Sequence, residues 1–291
     1  FLQRQENETS GYFASVDINV TERLTLTMGM RDEETESNGN EDNQSEVLWK
    51  FGANYSVSDE LSVYYTYSEG QTPPIDTVVA NESLDRESVA SHDIGVYYLT
   101  NRIQLGAAFF TFDYDNLVVG IDNPQTGLPT SVNYDEATIS GFELQGEYKI
   151  DERFAVYATF GSNDAEYGAN KNADAAINYE GNQYRFSPEF SYAIGLRFNT
   201  ERLRSTVSWN YIDDVFYEAS NDPDTLQEGY GLLNVSVEYD VLDNLTVGLY
   251  GKNVLDEEYL IDAGNTAGSL GYPTLIEGTP ANWLGTVRYR F

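Results

Sequence analysis

The chain closes with Trp283-Leu-Gly-Thr-Val-Arg-Tyr-Arg-Phe291, a stretch in which two kinds of side chain alternate. Aromatic, apolar or small residues occupy every second position from Trp283 to Phe291, and Thr286, Arg288 and Arg290 lie between them. Successive side chains of a β-strand point to opposite faces, so this alternation predicts a strand with one apolar and one polar face. In a soluble sheet the apolar face would cover a core. In a membrane barrel it would face lipid, with the arginines in the lumen. This strand alone fits both classes of protein.

Composition excludes several kinds of function. The 291 residues include 16 Lys and Arg against 48 Asp and Glu, and the net charge is -32. A surface this acidic argues against nucleic acid as a partner, because phosphate binding needs a basic surface. The chain has no cysteine, which excludes disulfides, thiolate metal sites and a cysteine nucleophile. No apolar run approaches the roughly 18 residues that a membrane helix needs.

The alternation recurs along the chain and predicts about 13 strands. They cover Tyr12–Val20, Leu24–Arg31, Trp49–Tyr55, Leu61–Tyr67, Ile94–Tyr98, Ile103–Phe109, Phe142–Tyr148, Phe154–Phe160, Phe190–Phe198, Leu203–Tyr211, Leu233–Tyr239, Leu245–Leu249 and Trp283–Phe291. Short turns such as Thr21-Glu22-Arg23 alternate with long polar connections such as Asp32–Glu46. Transmembrane barrels alternate in this way, with short periplasmic turns and long extracellular loops, whereas soluble sandwiches do not.

The polar faces of the predicted strands carry many charged and amide side chains. They are Asp17, Asn19, Lys50, Asn54, Glu143, Gln145, Glu147, Arg197, Arg204, Asn234, Glu238, Arg288 and Arg290. A small dry core would not hold so many charges, but a wet or plugged lumen would. The mean hydropathy of -0.46 fits a barrel that shows lipid only every second residue. We therefore predict an all-β fold, a transmembrane antiparallel β-barrel, with a soluble all-β repeat protein as the alternative.

Several short motifs resemble those of the TonB-dependent receptors of the Gram-negative outer membrane. The segment Gly251-Lys-Asn253-Val-Leu-Asp256-Glu-Glu-Tyr259 is similar to their near-terminal N-L-x-D-x-x-Y motif. Thr286–Phe291 resembles their terminal strand, and Ala137–Glu143 resembles A-x-x-x-G-x-E. Leu84–Gly95 resembles L-x-x-E followed by E-x-G, with Asp93 where Glu is usual. The order of these motifs identifies residues 1–291 as the carboxyl-terminal portion of such a barrel.

The resemblance also implies parts that lie outside this sequence. The family barrel has roughly 22 strands, so about 13 of them would lie here, and the plug domain is not in this sequence. Backbone groups in lipid must be paired, so we expect the first and last strands to pair with strands elsewhere. About 300 or more residues upstream, or another chain, would supply that wall and the plug. The alternative is a small pore in which these strands, with one more near Leu260–Tyr272, close on themselves.

The resemblance implies active uptake of a scarce ligand across the outer membrane of a Gram-negative bacterium, by a multi-pass receptor-transporter. A ferric siderophore is our preferred ligand over haem, cobalamin or an oligosaccharide. The implied partners are this small molecule, the inner-membrane TonB complex acting through the plug, lipopolysaccharide and outer-membrane lipid, and the barrel-assembly machinery. That machinery would read Phe291 as an assembly signal. The family does no bond chemistry, so we predict no enzyme and no cofactor. A passive porin and a surface adhesion barrel are the alternatives.

Few residues are candidates for a site. Tyr217, Tyr230 and Tyr272 fall in predicted loops, where their rings would stack on a ligand, although tyrosines are also common in membrane-interface belts. The single histidine, His92, would bind iron or haem, or more simply be a polar strand residue near a rim, which we prefer. The carboxylates of Asp32–Glu46 would bind calcium or form a solvated loop. They lack the EF-hand spacing, so we prefer the solvated loop and predict no metal site.

Overall fold

The computed structural model describes residues 7–37, 40–72, 84–122, 129–169, 178–264 and 274–291. Its strands are β1 (Asn7–Asn19), β2 (Leu24–Ser37), β3 (Asn40–Ser56), β4 (Leu61–Thr72), β5 (Glu87–Leu99), β6 (Ile103–Asp122), β7 (Pro129–Lys149), β8 (Phe154–Ala165), β9 (Phe190–Asn199), β10 (Leu203–Ile212), β11 (Val215–Phe216), β12 (Leu226–Gln227), β13 (Tyr230–Leu242), β14 (Leu245–Lys252), β15 (Leu260–Gly264), β16 (Thr274–Glu277) and β17 (Asn282–Tyr289). A short 3-10 turn spans Pro223–Thr225. Within these ranges, no helix is long and apolar enough to cross a membrane.

Thirteen of the strands form one antiparallel sheet in the order β1 to β10, β13, β14 and β17. These are the 13 predicted strands, so the predicted number is confirmed. β11 pairs with β12 and β15 with β16, as two small separate sheets. The extra strand considered near Leu260 therefore exists as β15, but it does not join the wall. In the described residues β1 and β17 lie at opposite ends of the sheet and do not pair with each other, unlike in the self-closed alternative.

The two faces of the sheet differ as the alternation predicts. Large apolar side chains remain exposed on one face, and examples are Ile194 at 49%, Leu249 at 50% and Val287 at 76%. A water-soluble protein would cover so many apolar side chains, whereas a barrel wall presents them to lipid. The prediction of an all-β transmembrane barrel is confirmed, and this sheet is a stretch of its wall.

The opposite, lumenal face is held by ion pairs. The guanidinium group of Arg204 reaches Asp240 through two hydrogen bonds of 2.7 and 2.9 Å, and Glu238 at 3.1 Å. Arg197 donates to Glu147 on the far side of β8. Each of these three carboxylates has a cationic partner on the lumenal wall, which favours its charged form there.

Five of the short turns have the same hydrogen-bonding pattern. The side-chain oxygen of the first turn residue accepts the backbone N–H groups two and three residues later; in the turn before β8, the Asp151 carboxylate accepts both at 2.7 and 2.8 Å. These two donors lower the pKa of Asp151. Such local bonds explain why Ser, Thr or Asp begins these turns. The residues that do this are Thr21, Ser58, Thr100, Asp151 and Thr200.

The hairpins on the other edge are longer than predicted. Asp32–Glu46 was expected to be a loop, yet β2 continues to Ser37 and β3 starts at Asn40. Likewise, β6 and β7 have 20 and 21 residues. The expectation was wrong because the alternation stops where a strand leaves the lipid, while the backbone ladder continues. Beyond that edge lies the buried core of the described structure, around Leu117, Tyr134 and Tyr167.

Candidate functional site

The long-loop edge of the wall carries a cluster of tyrosines that packs the β6–β7 hairpin onto the segments after β8. Tyr134 and Tyr167 are 0% and 1% exposed, with ring centroids 5.5 Å apart. Tyr184 covers the ring of Tyr167 at 4.7 Å. Burial raises the pKa of the Tyr167 and Tyr184 hydroxyls, so both stay neutral at physiological pH. This first cluster is an apolar base that fixes the extended hairpin.

A second cluster joins the loop before β13 to the loop after β14. Tyr217 is 6% exposed, and its hydroxyl donates to the backbone oxygen of Leu260 at 2.6 Å. The backbone N–H of Leu260 donates to Oε1 of Gln227 at 2.7 Å. Burial raises the pKa of Tyr217 to about 12. The two loops are therefore tied together through Leu260.

Asn253 pins the base of the later loop. Its backbone has a positive φ of 49°, which Asn tolerates better than most residues. Its Nδ2 donates to the backbone oxygens of Glu257 at 2.8 Å and Thr279 at 3.2 Å, and its Oδ1 accepts from Glu257 N–H at 2.9 Å. Asp256, with φ 58°, accepts from Ala281 N–H at 2.8 Å. The motif needs Asn and Asp at these positions because both tolerate this backbone and bond to it through a short side chain. We call this set of bonds the Asn253 clasp.

The clasp leads directly to a pair of stacked aromatic rings. The rings of Tyr230 and Tyr259 lie 4.5 Å apart with an interplanar angle of 18°. Gly278 lies against the Tyr259 ring, because a Cβ at this glycine would be 2.2 Å from it. The Gly278 N–H also donates to Tyr259 O at 2.7 Å. Tyr259 is thus held between Tyr230 and the backbone of Gly278.

The structure brings two of the three predicted ligand-contact residues together. Tyr217 and Tyr230 both reach the Tyr259–Leu260 segment, but Tyr217 is buried with its hydroxyl engaged. Tyr230 is half-buried, and its assignment to a loop was wrong because the ladder with β10 extends to it as the first residue of β13. Their role in ligand binding stays a prediction, and Tyr272 lies outside the described residues. The positioning roles of Asn253 and Asp256 were not predicted, although the motif that contains them was the available signal.

An open recess lies on the lumenal wall directly below the clasp. Its volume is about 740 Å³, within the range of ligand pockets. The lumenal faces of β10, β13, β14 and β17 form its floor, and Asn253, Tyr259 and Thr279 form its rim. The clasp therefore sets the shape of the recess from above.

The remaining candidates lie elsewhere. His92 is a strand residue of β5 on the same face as Ile94, with Nδ1 2.8 Å from the Tyr65 hydroxyl. In the described ranges, no group of three or more His, Asp or Glu residues could hold a metal ion. The side chains of residues 35–46 lie outside the described residues, so the solvated acidic loop without calcium stays a prediction. Phe291 is exposed, with its ring 5.1 Å from Tyr289.

Comparisons with known proteins agree on one family. The family model described as "TonB dependent receptor-like, beta-barrel" matches residues 1–254. The ferric-pyoverdine 358 receptor of Pseudomonas putida is 23% identical over 98% of this chain and 35% of its own length. The vitamin B12 transporter BtuB of Vibrio vulnificus is 22% identical over 84% of this chain and 37% of its own length.

The fold is shared with solved structures as well. The ferric yersiniabactin uptake receptor FyuA from Yersinia pestis matches 99% of this chain and 46% of that chain, with a TM-score of 0.80 and 18% identity. At this identity the likeness shows the fold alone. The chain spans about a third of the length of the curated relatives it matches and less than half of this solved structure.

Proposed function

Because the chain belongs to the TonB-dependent receptor family, we propose that it is the carboxyl-terminal wall of an outer-membrane receptor-transporter that takes up a scarce ligand. The observation that carries the proposal is the 13-stranded sheet, with apolar side chains on one face and ion pairs on the other. A wall of this kind suits a channel through lipid. The clustered loops at its long-loop edge suit a ligand-binding mouth.

The two free edges of the sheet support a larger barrel. In the described residues β1 pairs only with β2, and β17 only with β14. Each unpaired backbone group in hydrocarbon costs several kcal/mol, so a bilayer requires further strands beside both edges. We propose that the rest of the same polypeptide, or another chain, supplies them together with a plug. The inner-membrane TonB complex would act through that plug, and barrel-assembly machinery would read Phe291.

A ferric siderophore is the ligand that we propose. Of the similar proteins named above, one is a ferric-pyoverdine receptor and one a ferric yersiniabactin uptake receptor, whereas a third is a vitamin B12 transporter. Transport of either ligand needs no bond chemistry and no resident cofactor from this wall. Lipopolysaccharide and outer-membrane lipid would cover the exposed apolar face.

Uptake of radioactive iron by cells tests the proposal. The full-length protein would be expressed in a Gram-negative host that lacks its own siderophore receptors, and ⁵⁵Fe complexes of several siderophores would be supplied. We expect accumulation of at least one complex, and its loss when the proton gradient is dissipated or the TonB complex is deleted. Labelled cobalamin serves as the competing ligand. Uptake that continues at the same rate after the proton gradient is dissipated would instead support the porin alternative.

A further inference from the structure

The recess below the Asn253 clasp differs in charge from its surroundings. No carboxylate is among its described lining residues, although the chain has 48 acidic residues. Three other recesses of the described structure include carboxylates, and these are Asp164, Glu166, Glu189, Glu143, Glu152 and Glu201. The recess therefore lacks the negative charge that is general in this chain.

Lys252 gives the recess a positive charge. It is on the lumenal face of β14 opposite Asn282, and both residues line the recess. Within the described part of the chain, no carboxylate lies at ion-pairing distance from its ammonium group. An unpaired ammonium group on a wall shielded from lipid attracts anions from the lumen.

The two acidic residues on the lumenal face of β13 do not cancel this charge. Glu238 and Asp240 lie further along β13 and are both bound by Arg204. Glu238 also accepts a hydrogen bond from the hydroxyl of Tyr250. Arg288, on the same face of β17, adds another positive charge below the recess. The lumenal face of these strands is thus net positive in a strongly negative chain.

The other lining groups are small neutral hydrogen-bonding side chains. Thr206, Ser208 and Ser236 contribute hydroxyl groups, and Asn234 contributes an amide. Because the Asn234 oxygen accepts the Asn253 N–H at 3.0 Å, its NH₂ group remains to donate elsewhere. Hydroxyl and amide donors around one ammonium group match a ligand with many oxygen atoms and a negative charge.

We propose that this recess binds the anionic, oxygen-rich part of the transported ligand, such as a carboxylate or hydroxycarboxylate group, with Lys252 as its counter-ion. This inference rests on the proposed uptake function. It narrows the ligand to chelates that carry exposed negative charge, and it makes Lys252 a specificity-determining residue. The Asn253 clasp would hold the rim of the recess while the ligand docks.

Binding of two iron chelates of different charge tests this inference. The full-length receptor in detergent would be titrated with ferric citrate, an anionic hydroxycarboxylate complex, and with ferrichrome, a neutral hydroxamate complex. We expect tighter binding of ferric citrate, and its weakening by about tenfold to a hundredfold in Lys252→Met. Lys252→Arg should restore most of the affinity. Lys50→Met is the matched control, because Lys50 lies on the lumenal face of β3 away from the recess.

The outcomes separate this inference from the uptake function. Equal affinities of the wild type for the two chelates, or an unchanged ratio in Lys252→Met, would overturn the recess assignment while the uptake function stands. An equal loss of ferric citrate affinity in Lys50→Met would also overturn the recess assignment, because the loss would then follow from the total positive charge of the lumen. If the wild type binds neither chelate yet takes up another ferric siderophore in cells, the anionic assignment also fails. No uptake of any chelate would overturn both.

Discussion

The side-chain Nδ2 of Asn253 donates a hydrogen bond to the backbone oxygen of Thr279, 3.2 Å away and 26 residues further along the chain. This bond joins the end of β14 to the approach of β17 across the last long loop. The loop in turn carries Tyr259 and Leu260, which contact Tyr230 and Tyr217. One buried amide therefore holds the loop that both of the described ligand-contact candidates, Tyr217 and Tyr230, contact.

Replacing this amide tests the clasp. Asn253→Asp turns a donor to two carbonyl oxygens into an acceptor, so the loop should loosen by about 1–3 kcal/mol. Hydrogen exchange should increase in residues 255–264 and also in 215–228, because Leu260 links the two loops. Asn210→Asp is the control, since the hydrogen bond of its amide in the described structure is a long one of 3.4 Å to Ser208 Oγ, away from both loops. An increase confined to residues 255–264 would show that the loops are independent.

The pKa of Tyr217 predicts a pH-dependent opening of the same loops. Burial raises this pKa from 10.0 to about 12, so the folded loops favour the neutral hydroxyl. Its stabilising contribution is complete below pH 10 and is lost as the pH rises through 12. Proteolysis of the loops, measured from pH 8 upwards, should accelerate in that window. The Tyr217→Phe variant should be cleaved faster at pH 8 and should not show the further increase in cleavage rate as the pH rises. If the variant still shows that increase, a group other than Tyr217 causes it.

The close contact of Tyr64 with Gly95 predicts an intolerant position in the wall. A Cβ at Gly95 would lie 2.4 Å from the Tyr64 ring, so Gly95→Ala should destabilise the barrel by about 1–3 kcal/mol. Gly161→Ala is the matched control, because nothing lies within 4 Å of its added Cβ. Urea unfolding in detergent compares the two. Tyr64→Ser should rescue Gly95→Ala, and a lack of rescue would place the strain elsewhere.

The fourth prediction follows from the alternation of lipid-facing and lumen-facing side chains along β10. Val207 points outward and Thr206 points to the lumen. Val207→Arg should cost about 2–4 kcal/mol near the middle of the bilayer, and Thr206→Arg much less. Refolding into lipid vesicles measures both. Equal costs on the two faces would contradict the assignment of the apolar face to lipid.

A fifth prediction concerns Phe291. If its exposed ring is a recognition signal, deleting it should impair membrane insertion in cells far more than refolding in detergent. Heat-modifiable electrophoresis of both preparations compares the two routes. Equal impairment would make Phe291 a packing residue.

The sequence predicts the wall well because its period of two is imposed by lipid on one side and lumen on the other. Each predicted strand overlaps one strand of the sheet, for example Phe190–Phe198 within β9. The pattern fails at β2, β3, β6 and β7 once they leave the lipid, since neither face is then constrained. The alternation therefore underestimates strand lengths there, and the predicted loop Asp32–Glu46 contributes residues to β2 and β3 instead.

The candidate site is less predictable for a related reason. Tyr217 and Tyr230 can be chosen as loop aromatics, but their shared contact with Tyr259–Leu260 depends on pairing between distant loops. The role of Asn253 depends on a left-handed backbone and partners up to 26 residues away. Contacts between residues so far apart in the chain leave no periodic pattern in the sequence. The charge of the recess around Lys252 likewise emerges only when four strands are placed side by side.

The central claim is that this sheet is part of a larger barrel, and disulfide cross-linking in outer-membrane vesicles tests it most directly. These 291 residues contain no cysteine, so every disulfide formed within them must come from the introduced cysteine pairs. Val247→Cys with Val287→Cys, paired across β14 and β17, must cross-link as the positive control. We predict that Val287→Cys forms no intramolecular link with Cys at Ala14, Val16 or Ile18 of β1. Efficient linking of any of these pairs within one chain would show that the sheet closes on itself and would contradict the account.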